Sequence, residues 1–130
     1  MDRGAMRRRS ATGAAVLAGA VLLALAAPAG AQAAAPTRCA GHRVATLAFA
    51  GGAIRVHRHD GYVCAVTVPR RPGTRRTMSV SVQPRGGRPV VDRGRFRYRA
   101  GPVTVHAGHR CVRVRGSVAG HSYASGWILC

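Results

Sequence analysis

The chain is 130 residues long, and its 21 basic side chains, all arginine, stand against three aspartates and no glutamate, a formal net charge of +18. That length suits one domain. The scarcity of acids excludes chemistry built on a carboxylate cluster, while the cationic excess favours contact with polyanions at low ionic strength.

The first segment reads as an address. Arg3, Arg7, Arg8 and Arg9 precede an apolar Ala/Leu/Val/Gly run over residues 14–27, and Ala31-Gln32-Ala33 follows. A basic start, an apolar middle and small residues at the end make a secretory signal peptide. A transmembrane anchor needs about 20 strongly apolar residues; this run is shorter, diluted by alanine and broken by Pro28 and Gly30. Ser10-Ala11 after the arginines lacks the bulky apolar residue of twin-arginine signals, so the general export route is favoured. Cleavage after Ala33 predicts a signal peptide over 1–33 and a single secreted domain over 34–130. That domain keeps 17 arginines against Asp60 and Asp92, a net charge of +15.

All four cysteines, Cys39, Cys64, Cys111 and Cys130, lie in the exported part. An even count in a small secreted domain predicts two disulfides. Three pairings are open; Cys39 with Cys64 and Cys111 with Cys130 is favoured, because a local strand meander closes both loops. A zinc site would want short C-x-x-C or C-x-H spacings, and none is present.

No stripe of helical period runs through the mature segment. Short alternating runs split by glycine and proline predict an all-β fold: a small antiparallel sandwich or partly open barrel of six to eight strands. The expected strands are 43–49, 53–59, 62–68, 77–83, 95–99, 103–107, 111–115 and 117–124. Asp60-Gly61 between two of them predicts a type I′ hairpin, whose central residues both need positive φ. The arginine- and proline-rich stretch 69–76 reads as an exposed loop.

A period of two also sorts faces. Ile54 and Val56 oppose Arg55 and His57; Phe96 and Tyr98 oppose Arg95, Arg97 and Arg99; Val112 and Val114 oppose Arg113 and Arg115. Arg55, His57, His59, Arg95, Arg97, Arg99, Arg113 and Arg115 would therefore form one cationic surface if their strands are neighbours. Like charges across strands cost stability, and an anionic polymer on that surface would offset the cost. Phe96, Tyr98 and Trp127 are expected in the core, which leaves no stacking platform and limits nucleic-acid binding to a non-specific kind.

Catalytic signals are sparse. His57 and His59 project to one side of a strand, the arrangement of a weak chelate, with His42, His106, His109, His121 and Asp92 as the remaining possible ligands; no metal or cofactor is expected. In the exported part Asp60 and Asp92 are the sole carboxylate side chains, and no G-x-S-x-G elbow occurs. The enzymatic alternative is a small ribonuclease, with two histidines as acid and base and arginines on phosphate.

The last third carries Val91-Asp92-Arg93-Gly94-Arg95-Phe96-Arg97-Tyr98-Arg99-Ala100-Gly101-Pro102-Val103, then Gly108-His109-Arg110-Cys111-Val112, Gly116-Ser117-Val118, Tyr123 and Cys130. This pattern, with Val63-Cys64-Ala65 and the alanine-rich leader, resembles the spore-associated protein A family of filamentous actinobacteria. The resemblance implies association with the spore or aerial-growth surface and no catalysis. Arg95, Arg97 and Arg99 stand where that family usually has small polar residues, so the cationic character belongs to this chain. The expectation is a non-catalytic secreted protein at the spore or cell surface, held to anionic wall polymers by arginines. A purely structural coat component without a ligand is the other non-enzymatic alternative.

Overall fold

Short alternating runs build eight strands. In the computed structural model, which describes residues 37–130, they are β1 (His42–Phe49), β2 (Gly52–His59), β3 (Tyr62–Pro69), β4 (Arg76–Pro84), β5 (Val90–Phe96), β6 (Ala100–His106), β7 (Val112–Val118) and β8 (His121–Ile128). The leader and its cleavage point lie outside the described residues. No helix occurs among the described residues, and none is long and apolar enough to cross a membrane.

The strands form two antiparallel four-stranded sheets, here sheet A in the order β1-β2-β3-β6 and sheet B in the order β5-β4-β7-β8. Hairpins join β1 to β2, β2 to β3, β4 to β5 and β7 to β8. The Asp60-Gly61 turn has φ of 47° and 81°, as a type I′ hairpin requires. Elsewhere the chain crosses between sheets, after β3, after β5 and after β6.

Packing follows parity. Ile54, Val56, Val63, Ala65, Val103 and Val105 from sheet A meet Met78, Val80, Val82, Val112, Val114 and Val118 from sheet B in one buried layer. Each valine, isoleucine or methionine of that layer contributes about 1.5–3 kcal/mol when fully buried. Asp92, opposite Val80 on β5, turns toward the interior, where its Oδ2 accepts a 2.7 Å hydrogen bond from Gly101 N at the start of β6. One carboxylate thus ties the two sheets together at their margin.

Both disulfides join the cysteines paired in sequence order, Cys39 with Cys64 and Cys111 with Cys130. The first fastens the segment before β1 to the outward side of β3; the second fastens Cys130, two residues past the end of β8, to Cys111, the residue before β7. Each loop closure contributes roughly 3 kcal/mol in the chain-entropy account.

Three expectations about the strands are corrected. The run 95–99 is not one strand: β5 ends at Phe96, and Arg97 pairs with the β3–β4 loop, its carbonyl accepting from Gly73 N at 2.9 Å and its Nη1 donating to Gly73 O at 3.0 Å. Tyr98 consequently leaves the core and is 58% exposed. The run 117–124 is two strands, because Ala119 and Gly120 both take positive φ and reverse the chain. Trp127 does not face the core. A bulge at Ser125, whose Oγ accepts from Val114 N at 3.0 Å, shifts the β8 register and places Trp127 opposite the outward Arg113.

The tightest interior contact lies at Gly116. A Cβ there would stand 2.5 Å from Thr67 Oγ1 and 2.8 Å from Ile54 Cδ1, while Thr67 is fully buried and its hydroxyl has no hydrogen-bond partner among the described residues. Gly116→Ala should lower the unfolding free energy by about 1–3 kcal/mol through overpacking. Thr67→Val, removing an unpaired buried hydroxyl without loss of volume, should raise it by about 1 kcal/mol. Urea midpoints at an unchanged m value check both.

Candidate functional site

The eight residues expected on one cationic surface are divided between two. β2 lies in sheet A and β5 and β7 in sheet B, so their outward side chains leave the sandwich on opposite sides. Arg55, His57 and His59 are outward on sheet A; Arg95, Arg113 and Arg115 are outward on sheet B. Arg97 and Arg99 belong to the turn between β5 and β6, Arg97 being engaged with Gly73. The single-surface expectation fails because parity assigns a side within a sheet and carries no information on which sheet a strand joins.

The outer face of sheet B is a shallow trough of about 250 Å³. Its floor is the outward side of β4, Ser79, Ser81 and Gln83, and its walls include Arg93 from β5 and Arg113 and Arg115 from β7. Register explains the layout: Arg93 sits across from Ser79, Arg115 from Ser81, and Arg113 from Gln83. A 2.6 Å hydrogen bond joins Ser79 Oγ and Ser117 Oγ across β4 and β7. At one end the Arg113 and Arg85 guanidinium groups lie 4.4 and 5.3 Å from the Trp127 ring centroid. This contact holds the planar groups by cation–π attraction and still leaves donors for an anion.

Sheet A carries a second hollow, of about 390 Å³, lined by Arg38, Arg43, Arg55, His57 and Arg99 above Val66 and Val68. Arg43 pairs across β1 and β2 with His57. The Cys39–Cys64 bond brings Arg38 over the sheet, and the β5–β6 turn supplies Arg99. Alternation alone does not single out Arg38, Arg43 or Arg93.

Other arginines serve the fold. Arg58 reaches Leu129 O at 2.9 Å, Arg76 reaches Arg71 O at 2.6 Å, and Arg110 donates to His106 O at 2.8 Å and Ala107 O at 3.1 Å. Among the described residues neither aspartate lines either hollow. Asp92 is turned inward, and Asp60 sits at a hairpin tip with its Oδ2 3.2 Å from His59 Nε2.

No three of His, Cys, Asp and Glu gather into a metal-binding group among the described residues. His106 packs edge-on against Tyr62 with ring centroids 4.9 Å apart. Among the described residues, the imidazole lining the sheet A hollow is that of His57. Comparison of the chain with protein-family models, with curated proteins and with solved structures returns no match.

Burial, and after it the charges of Arg43 and Arg55, lower the pKa of His57 from its ordinary value. Protonation is therefore disfavoured in the folded state relative to the unfolded chain. The group leaves stability intact above the unfolded value of about 6.5, and stability falls as pH drops through that value toward the folded one. An NMR titration should place His57 below the ordinary value of a free imidazole, and His57→Gln should flatten the pH dependence of the urea midpoint in that window.

Proposed function

We propose that this chain is an exported, non-catalytic adhesion domain that holds to anionic polymers of the spore or cell surface through its arginine-bearing sheet faces. The observation that carries the reading is the sheet B trough: Arg93, Arg113 and Arg115 around Ser79, Ser81 and Gln83, without a carboxylate in its lining. Guanidinium groups bind phosphate and carboxylate oxygens in a planar, bidentate manner, and small hydroxyl floors admit a polymer backbone close to the sheet. An open trough with repeated like charge suits an extended, repeating anion better than one small molecule.

Export is part of the proposal. Two disulfides are typical of extracellular proteins, and the leader pattern agrees with that compartment. The resemblance to spore-associated protein A supports the spore or aerial surface as the destination, and the arginines of this chain support the electrostatic mode of retention. Nucleic acid would be held by the same charges without sequence preference.

Native protein retained on isolated walls or spores should be released steeply with salt, log retention falling linearly with log salt concentration. Replacing Arg93, Arg95, Arg113 and Arg115 with Gln should cut retention about tenfold or more at low salt and flatten the slope. Equal replacement of the loop arginines Arg70, Arg71, Arg75 and Arg88 should cost much less. Unchanged retention in the first variant would favour a structural coat component without a ligand. RNA cleavage by the purified protein, abolished by His57→Ala, would favour the ribonuclease alternative.

A further inference from the structure

The sheet A hollow differs in kind from the trough on sheet B, being larger and flanked on one side by the segment before β1. We propose that it is a discrete oxyanion site that takes one phosphoryl group, gripped by Arg43, Arg55, Arg99 and Arg38. The inference deepens the adhesion reading and rests on it for the polymer as one source of that group.

Four guanidinium groups reach the hollow from four parts of the chain: the N-terminal segment, β1, β2 and the β5–β6 turn. Such convergence is not a by-product of one arginine-rich strand. Two devices create it. The Cys39–Cys64 bond holds Arg38 over the sheet, and an irregularity between Arg43 and Ala45 turns Arg43 outward beside His57, although Ala45 pairs with the buried Val56. Among the described residues no carboxylate lines the hollow, and Val66 and Val68 supply an apolar floor. Cations over apolar walls focus the local field and favour a compact, highly charged anion. Arginine's forked donors match the oxygens of a phosphoryl group.

His57 gives an independent indication. Its Nδ1 is buried with no hydrogen-bond partner among the described residues. The charged groups lining the hollow with it are all cationic: Arg43 from β1, Arg55 from β2 itself, Arg38 from the N-terminal segment and Arg99 from the β5–β6 turn. From β3, the residue opposite is Cys64, held in its disulfide. Farther along β2, His59 lies beside Asp60. Burial is the larger obstacle to protonation of His57 and the arginine charges the lesser; an anion among the arginines offsets the second, so binding favours uptake of a proton and strengthens as pH falls.

Sulfate is the probe for this coupling, because its charge stays constant across the range in which histidine titrates. NMR titration of the full exported chain with sodium sulfate, against sodium chloride at matched ionic strength, should show saturable one-site binding. The shifts should concentrate at residues 37–39, 43, 55, 57 and 99. Affinity should rise about tenfold from pH 8 to pH 5, a dependence that His57→Gln abolishes while binding persists. Arg43→Gln with Arg55→Gln should weaken binding about tenfold or more, whereas Arg113→Gln with Arg115→Gln should leave it unchanged. These side chains are on the surface, and retained amide dispersion shows that each variant is folded.

Orthophosphate and poly(glycerol phosphate) form the arms that separate a free phosphate from a phosphodiester of the polymer. Shifts that grow without saturation over both faces, or a double Arg43/Arg55 variant equal to wild type, would overturn the site. If sulfate does not saturate while retention on walls still depends steeply on salt, the oxyanion site fails and adhesion stands. A saturable site with salt-independent retention means the reverse: the oxyanion site stands and electrostatic adhesion fails.

Discussion

Strict two-residue alternation against a thin core of valine-sized side chains governs this molecule. Each inward position on β2, β3, β4, β6 and β7 is taken by Ile, Val, Ala, Met, Thr or Gly over most of its length. That layer has no room for guanidinium groups, so alternation sends Arg55, Arg113 and Arg115 to the outside and keeps them in register with their neighbours. The cationic faces are thus a direct product of the packing. The bulges in β1 and β8 break the alternation and re-aim Arg43 and Trp127 toward the outer faces, and a third register shift lies where β3 meets β6.

Crowding like charges on both faces works against folding, and several features offset it. The two disulfides restrain both ends of the described chain. Asp92 crosses from β5 to β6, and several arginines dissipate their charge on backbone carbonyls near loops or chain ends, as Arg58 does on Leu129. The remaining guanidinium groups around the two hollows meet no carboxylate there. A protein that gathers cations in this way without internal counter-charge is more stable when an external anion supplies it. Fold and proposed function therefore share one electrostatic cause.

Much of the fold was legible because its signals are local. Six of the eight expected runs became strands with small shifts at their ends, Asp60-Gly61 made the expected turn, and the favoured cysteine pairing followed from the short loops it closes. Ile54 and Val56 against Arg55 and His57, and Val112 and Val114 against Arg113 and Arg115, fell on the sides that alternation assigns. What escaped depends on long-range pairing or on an inserted residue. Nothing in 69–76 says that the chain crosses to a second sheet there, or that β4 then pairs with β7. The extra residue at Ser125 inverts the side on which Trp127 lies, and the one at Val44 does the same for Arg43. Arg93 is hidden because the glycine after it masks the run from Val90 to Phe96 as a loop.

If adhesion works as proposed, regular sheet faces, and not arginine-rich loops, meet the anionic polymer. Amide shift mapping of the native protein with poly(glycerol phosphate), at low and then high salt, tests this most directly. Perturbations on β1 and β2 of sheet A and on β4, β5 and β7 of sheet B, vanishing at high salt, are the predicted result. Perturbations confined to residues 70–76 and 85–88, with both sheet faces silent, would contradict it.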